Sequence, residues 1–366
     1  RTLVEDIENM APLVYTPTVG LVCQQFGTQF RRCRGMYITP EDRGYMSTIM
    51  HNWDSDDVHV VVITDGSRIL GLGDLGVNGM GIPIGKLALY CAAGGIAPHR
   101  VLPVTIDVGT NNQNLINDPA YLGRKHKRAV GPDYYDMLDE FMHAVYARWP
   151  NVIVQFEDFE TSKAVPLLAR YRNKYRMFND DIQGTGSVTL ACLMAATRTA
   201  GLESLKDLRV VCAGAGSAGL GVCEQIMDGM VAAGLSKEEA KKRFTVLTQY
   251  GALGQAKGSL GDPNHVAGIT DAMVPWISDT VADGSTLLDS IKQSKPHVLL
   301  GLTTCAGVFT KEVLEEMARI NHRPIIMPMS NPTANAECTA EEAYRHTEGR
   351  AIVATGSPFQ PVELNG

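Results

Sequence analysis

Runs of apolar residues recur along this chain, and most are closed by glycine or a polar side chain. Val58 to Asp65 is a continuous β-branched run ended by Asp65-Gly66. Leu102 to Gly109 and Val152 to Asp158 repeat the pattern. Unbroken apolar runs of this length fit strands covered on both faces, as in a parallel sheet. Between them the pattern turns helical, over Gly85 to Ala93 and Tyr134 to Arg148. The alternation predicts βαβ units, with helices on the faces of a parallel sheet. Each predicted strand ends in polar residues, at the carboxyl edge where such sheets bind ligands.

Ahead of these runs, Thr2 to Met10 reads as a helix that Ala11-Pro12 ends. A turn over Tyr15 to Gly20 and a helix over Gly20 to Phe30 follow. In the second half, Ser187 to Thr199 is helical. Leu208 to Ala213, Phe244 to Thr248, Val298 to Leu302, Pro324 to Pro328 and Ala351 to Ala354 read as strands. Ser236 with Glu239 and Thr339 with Glu342 have capping-box spacing. The fold class expected is α/β. A parallel-sheet domain over 1–180, with 1–33 as a helical lead-in, precedes a Rossmann-type dinucleotide-binding domain over 181–366.

Composition narrows the functional classes. The 366 residues are 45% hydrophobic and 20% charged, with a formal net charge of -7, which fits a soluble enzyme-sized chain and not a nucleic-acid binder. Arg31 to Arg34 and Arg124 to Arg128 are short basic clusters, expected as solvated faces or small-anion contacts. No apolar run is long enough to span a bilayer. The eight cysteines are scattered, without a C-x-x-C pair, which points to free thiols in a reducing compartment. Cytoplasm or mitochondrial matrix both fit, with cytoplasm preferred.

Three stretches carry candidate chemistry. Gly214-Ala215-Gly216-Ser217-Ala218-Gly219 follows a predicted strand and opens a predicted helix, the context that G-x-G-x-x-G needs to cradle a pyrophosphate. The tip of the next strand, Thr248-Gln249-Tyr250, lacks the carboxylate that grips an NAD ribose, which favours NADP over NAD. The glycine-rich run before Lys86 is not a Walker loop, because Met80 and Leu87 stand where glycine and a hydroxyl are required. This excludes a phosphotransferase. Lys86 instead reads as a lysine at a helix start, where the dipole favours the neutral amine. Asp180 and Asp181 are adjacent carboxylates. On an extended backbone they face opposite ways, and at a helix start they serve as caps. Asn331 either caps the turn after its strand or meets a ligand.

Together these stretches resemble the malic enzymes, the malate-oxidising decarboxylases. The resemblance runs through Tyr15 to Gly20, Thr64 to Gly66, Gly71 to Asp74, Gly81 to Leu87, Gln155 to Phe159 and Phe178 to Thr185. It continues through the Gly214 fingerprint, Met329 to Thr333 and Thr355 to Phe359. It implies that Glu157, Asp158 and Asp181 ligate Mg²⁺ or Mn²⁺, as three hard oxygen donors would. It also implies Lys86 as general base, Tyr15 as general acid and Asp180 as the support of Lys86. Arg68 and Asn331 contact malate, and the activity implied is oxidative decarboxylation to pyruvate and CO₂ by a homodimer or homotetramer. A malolactic-type enzyme that retains its cofactor and releases lactate is the alternative within enzymes. A silent dinucleotide-sensing domain is the alternative outside them. The family pattern extends beyond both ends of this chain, so a piece of a longer protein is expected. Gly258 to Trp276 matches the family poorly.

Overall fold

The computed structural model describes residues 2–255 and 269–364, so 258–268 of the poorly matching segment lie outside the described residues. The chain forms two compact units, Arg1–Asp180 and Asp181–Gly366.

The first unit is built on five parallel strands: β1 (Met36–Ile38), β2 (Val60–Thr64), β3 (Val101–Ile106), β4 (Ile153–Phe156) and β5 (Met177–Asn179). Their order is β1-β3-β2-β4-β5. Its main helices are α1 (Ile7–Val14), α2 (Thr18–Gln24), α3 (Gly81–Ala93), α4 (Pro132–Arg148) and α5 (Thr161–Tyr171). Every residue of β2 and β3 is buried, which is why both read as unbroken apolar runs. Val60 and Val62 of β2 share a core cluster with Leu87 and Tyr90 of α3. On the other face Phe156 packs against Phe159 and Tyr171, the latter from α5. The chain leaves β2 for β3 on one side and later places β4 on the other. The crevice between the carboxyl ends of β2 and β4 is therefore a topological switch point, the usual ligand position in such sheets.

The second unit carries a six-stranded sheet: β6 (Val210–Ala213), β7 (Phe244–Thr248) and β8 (Gly251–Ala252), then β11 (Val298–Gly301), β12 (Ile325–Pro328) and β13 (Ile352–Val353). Between these, β9 (Gly254–Gln255) and β10 (Ser278–Ala282) pair separately. The six-stranded order is β13-β12-β11-β6-β7-β8, parallel except for the antiparallel β7–β8 pair. Helices α6 (Thr185–Thr199), α7 (Ser217–Ala232), α8 (Leu287–Ser294) and α9 (Lys311–Ile320) complete its two apolar layers. Here the switch point lies between β6 and β11, with the Gly214–Gly219 loop at its mouth. Both capping boxes form: Ser236 with Glu239, and Thr339 with Glu342.

Several local expectations are corrected. The lead-in helix breaks at Asp6, and Pro12 lies inside α1, which continues to Val14. Packing of α1 on α3 outweighs the breaker. The stretch from Gly20 to Phe30 is two helices, Thr18–Gln24 and Phe26–Gln29. Helix α3 begins at Gly81, four residues before its expected start. Pro83 is its third residue, where the missing N–H would have no intrahelical partner anyway. Asp180 opens a π-helical turn, Asp180–Gly184, so Asp180 and Asp181 are not on extended backbone. Arg128 is not solvated: it is buried, with its guanidinium on Asp74 and on the Asp65 carbonyl. All eight cysteines are free thiols. Among the described residues no helix is long and apolar enough to cross a membrane.

Candidate active site

Helix α3 and strand β4 place the central groups of the first unit by matched spacing. Lys86 and Tyr90 stand four residues apart on α3, a rise of ~6 Å. Gln155 and Glu157 stand two residues apart at the end of β4, a rise of ~6.6 Å on one face. Lys86 accordingly meets Glu157, and Tyr90 meets Gln155. Val62 of β2 is the in-register neighbour of Gln155. It belongs to the layer packed on α3, so Gln155 and Glu157 project from the sheet toward that helix.

Glu157 is the hub. Its Oε1 accepts the Tyr15 hydroxyl at 3.1 Å and lies 3.0 Å from Lys86 Nζ. Its Oε2 accepts from the Gln155 amide at 2.5 Å. Lys86 also donates to Asp180 Oδ2 at 2.8 Å, and its Nζ sits 5.0 Å from the centre of the Tyr15 ring. Tyr15 reaches this position because residue 85 is glycine. A Cβ there would lie 2.5 Å from the Val14 carbonyl oxygen and 3.0 Å from the Tyr15 ring.

Electrostatics set the protonation states. Burial raises the Tyr15 phenol well above its ordinary pKa, and the Glu157 charge adds to the effect, so the hydroxyl keeps its proton. Burial alone would depress Lys86. The charges of Glu157, Tyr15 and Asp180 outweigh it and hold the ammonium well above the usual lysine value. The expectation of a neutral amine is thus corrected. Lys86 is the sixth residue of α3, beyond the first turn, and carboxylates surround it.

Asp158 follows Glu157 in the left-handed region, at φ 56. Its carbonyl accepts from Arg68 N at 3.1 Å and its Oδ2 from Leu70 N at 3.1 Å. Leu70 is itself at φ 48, and such a conformation costs about 1–3 kcal/mol per residue. The loop bearing Arg68 is thereby tied to β4, with the Arg68 side chain exposed and, among the described residues, without a hydrogen-bonding or ionic partner. Glu157 and Asp158 offer carboxylate oxygens within 4.8 Å of one another, a spacing that a single cation can bridge. Asp181 follows Asp180 directly and is half-buried.

In the second unit, Gly214 has φ 118, and a Cβ on it would collide with the Leu302 carbonyl beyond β11. Gly216 has nothing within 4 Å of such a Cβ, so that side of the loop is open to a ligand. The first bond of α7 runs from Leu220 N to Gly216 O at 2.9 Å, which puts the positive end of its dipole at Ser217, Ala218 and Gly219. Thr248 Oγ1 accepts from Tyr250 N at 3.1 Å and donates to Gly251 O at 3.3 Å, closing the turn between β7 and β8. Asn331 does not cap the turn after β12. Its Oδ1 accepts from the Ser357 hydroxyl at 2.6 Å.

Sequence reasoning missed Gln155, Tyr90 and Glu337. A lone amide in the apolar run of β4 was the available signal for Gln155, because a buried amide requires partners. Glu337 is fully buried and takes bonds from Thr303 N at 2.8 Å, Thr303 Oγ1 at 2.7 Å and Ser330 Oγ at 2.5 Å. It joins the loops after β11 and β12 beside Asn331, and nothing in its sequence surroundings marks it.

Family models match both units of the chain. The family model described as "Malic enzyme, N-terminal domain" matches residues 1–172, and "Malic enzyme, NAD binding domain" matches 182–366. The chain is 50% identical over its full length to the NADP-dependent malic enzyme of Anas platyrhynchos, covering 64% of that protein. It is also 50% identical to the mitochondrial NAD-dependent malic enzyme of Solanum tuberosum, covering 59% of it. The chain therefore spans less than two thirds of these relatives' lengths. The crystal structure of Entamoeba histolytica malic enzyme shares the fold, with a TM-score of 0.61 at 24% identity, over 95% of this chain and 60% of that one. With matched spans that account for nearly every residue, this chain belongs to the malic enzyme family.

Proposed function

We propose that the protein oxidatively decarboxylates (S)-malate to pyruvate and CO₂ while reducing a nicotinamide dinucleotide, NADP in preference to NAD. The observation that carries this reading is the convergence of Tyr15 and Lys86 on Glu157 beside Asp158. Relatives at 50% identity carry the names of both NADP- and NAD-dependent malic enzymes. The absence of a carboxylate from the Thr248 tip favours NADP.

The donor set fits a hard dication. Glu157 and Asp158 supply oxygens at bridging distance. Asp181 is one peptide bond from Asp180, and consecutive Cα atoms lie ~3.8 Å apart. We assign these three residues to Mg²⁺ or Mn²⁺. When bound, the dication supplies Lewis acidity to the malate C2 oxygen and the dinucleotide supplies the hydride acceptor.

The chain's own groups handle binding and protons. Arg68 presents a planar fork that matches a malate carboxylate bidentately. Asn331 uses its amide N–H₂ on substrate, because Ser357 already occupies its carbonyl end. Lys86 takes the C2 hydroxyl proton. The carboxylates that hold Lys86 as ammonium are partly those assigned to the dication, and sharing their charge weakens their hold on the lysine proton. Asp180 keeps the amine in place. Tyr15, which retains its proton, delivers one to C3 after CO₂ departs. Positioned acid–base groups of this kind contribute about 10²–10⁴-fold. We also assign a homodimer or homotetramer. Exposed Val4, Ile7, Leu13 and Leu21 at the N-terminal helices are the apolar surface such contacts use.

Turnover of malate by the full-length protein with Mn²⁺ and NADP tests the proposal. Pyruvate, CO₂ and NADPH in equal amounts are expected. Lactate without net NADPH would establish the malolactic reaction instead, and dinucleotide binding without turnover a sensing domain.

A further inference from the structure

A fully buried amide under the site has no role in the chemistry above. Gln155 is 0% exposed and sits in register between Val62 and Phe178, in the middle of the parallel sheet. An amide placed there is destabilising unless both its ends are paired. Both are. Nε2 donates to Glu157 Oε2 at 2.5 Å, and Oε1 accepts from the Tyr90 hydroxyl.

The chemistry allows only one orientation. A carboxylate accepts and does not donate, so the N–H₂ end must face Glu157. The carbonyl end must then face a donor, and Tyr90 is one. Burial, with the charge of Asp180 adding to it, raises the Tyr90 phenol to about 12, so it stays protonated at neutral pH. Glu157 thus fixes the direction of the amide, and Tyr90 pairs the carbonyl end that this direction leaves buried. The fixed amide occupies Oε2 of Glu157 and turns Oε1 toward Tyr15 and Lys86.

We infer that Gln155 is a positioning residue that sets the rotation of the Glu157 carboxylate, and that Tyr90 anchors the carbonyl end of Gln155. The inference rests on the assignment of Glu157 as a metal ligand. Through this series Tyr90 and Gln155 control how Glu157 presents itself to a dication, without touching substrate or metal themselves.

Mn²⁺ affinity of the full-length protein, measured without substrate by the paramagnetic resonance of the free ion, tests the inference. Dinucleotide affinity and thermal unfolding serve as controls. Gln155→Met keeps the volume and removes both polar ends. It is expected to weaken Mn²⁺ about 10–100-fold, as loss of a ligand's hydrogen-bonding partner does, while dinucleotide affinity is unchanged. Tyr90→Phe is expected to weaken it about fivefold, as one hydrogen bond supplies. The double variant should match Gln155→Met alone, because the two act in series. Wild-type Mn²⁺ affinity in folded Gln155→Met overturns the inference and leaves the metal assignment standing. Should Gln155→Met not fold, unchanged affinity in Tyr90→Phe overturns it. Failure of the wild-type protein to bind Mn²⁺ at all would remove the metal assignment, and this inference with it.

Discussion

Tyr15 and Lys86 meet on a single atom, Oε1 of Glu157, at 3.1 and 3.0 Å. One carboxylate oxygen thereby sets the separation of the proposed acid and the proposed base. The pairing also explains why the ring of Tyr15 and the amine of Lys86 lie 5.0 Å apart with glycine at position 85. Truncating the lysine leaves the phenol on Glu157 and removes only the amine. Lys86→Ala is therefore expected to lower malate oxidation about 10²–10⁴-fold while dinucleotide affinity persists, read from steady-state rates beside an equilibrium titration. Loss of dinucleotide binding would make Lys86 a structural residue.

Glu337 offers a test in the second unit. Its carboxylate takes bonds from both Thr303 and Ser330, the residue before Asn331. In Glu337→Gln one accepting oxygen becomes an N–H₂ facing donors. We expect a stability loss of about 1.5–3 kcal/mol and a raised KM for malate, with Mn²⁺ affinity unchanged. Thermal denaturation and KM measured on the same preparation check this. Unchanged values in both would show that the loops hold without the clamp.

Much of the fold was legible because parallel strands buried on both faces must be apolar throughout. Val60–Thr64, Val101–Ile106 and Ile153–Phe156 announce themselves in this way. Met36–Ile38 and Met177–Asn179 do not, because three residues are too few to show a pattern. The glycine fingerprint was readable because strand, loop and helix are contiguous. The charge of Lys86 was not, because its partner Asp180 lies 94 positions away. A helix dipole acts only locally, whereas carboxylates distant in sequence surround this amine. Arg128 misled for the same reason: its basic neighbours suggested a solvated face, while Asp65 and Asp74 wait 63 and 54 positions earlier.

The Arg128 pair makes stability depend on pH. Burial alone would raise the Asp74 carboxyl. The Arg128 hydrogen bonds and charge, with Asn111 N–H and the Thr110 hydroxyl, outweigh burial and hold it below its ordinary value. A folded-state pKa below the unfolded one stabilises above the unfolded carboxyl value of about 3.9. That contribution fades as pH falls through the lower folded value. In Arg128→Met this acid-side slope should flatten. Stability at neutral pH should drop by about 3–5 kcal/mol, since the Asp74 carboxylate and the Asp65 carbonyl lose a buried partner. Denaturant unfolding across pH measures both effects. A wild-type slope in the variant would place the acid sensitivity elsewhere.

Thr248 addresses cofactor choice. Its hydroxyl closes the turn after β7, and Asp is able to accept the same Tyr250 N–H at 3.1 Å. Thr248→Asp adds a charge that repels a 2′-phosphate and suits a 2′-hydroxyl. The ratio of kcat/KM for NAD over NADP is expected to rise about tenfold, which corresponds to ~1.4 kcal/mol. An unmoved ratio would remove Thr248 from specificity.

The central claim is that Glu157, Asp158 and Asp181 share one dication beside Lys86. Its most direct test is Mn²⁺ binding to full-length Asp181→Asn compared with wild type, followed without turnover. A tight site in the wild type, weakened at least about 100-fold in the variant, is the predicted result, because losing a ligand costs no less than losing a ligand's support. Equal affinity in the two proteins would contradict it.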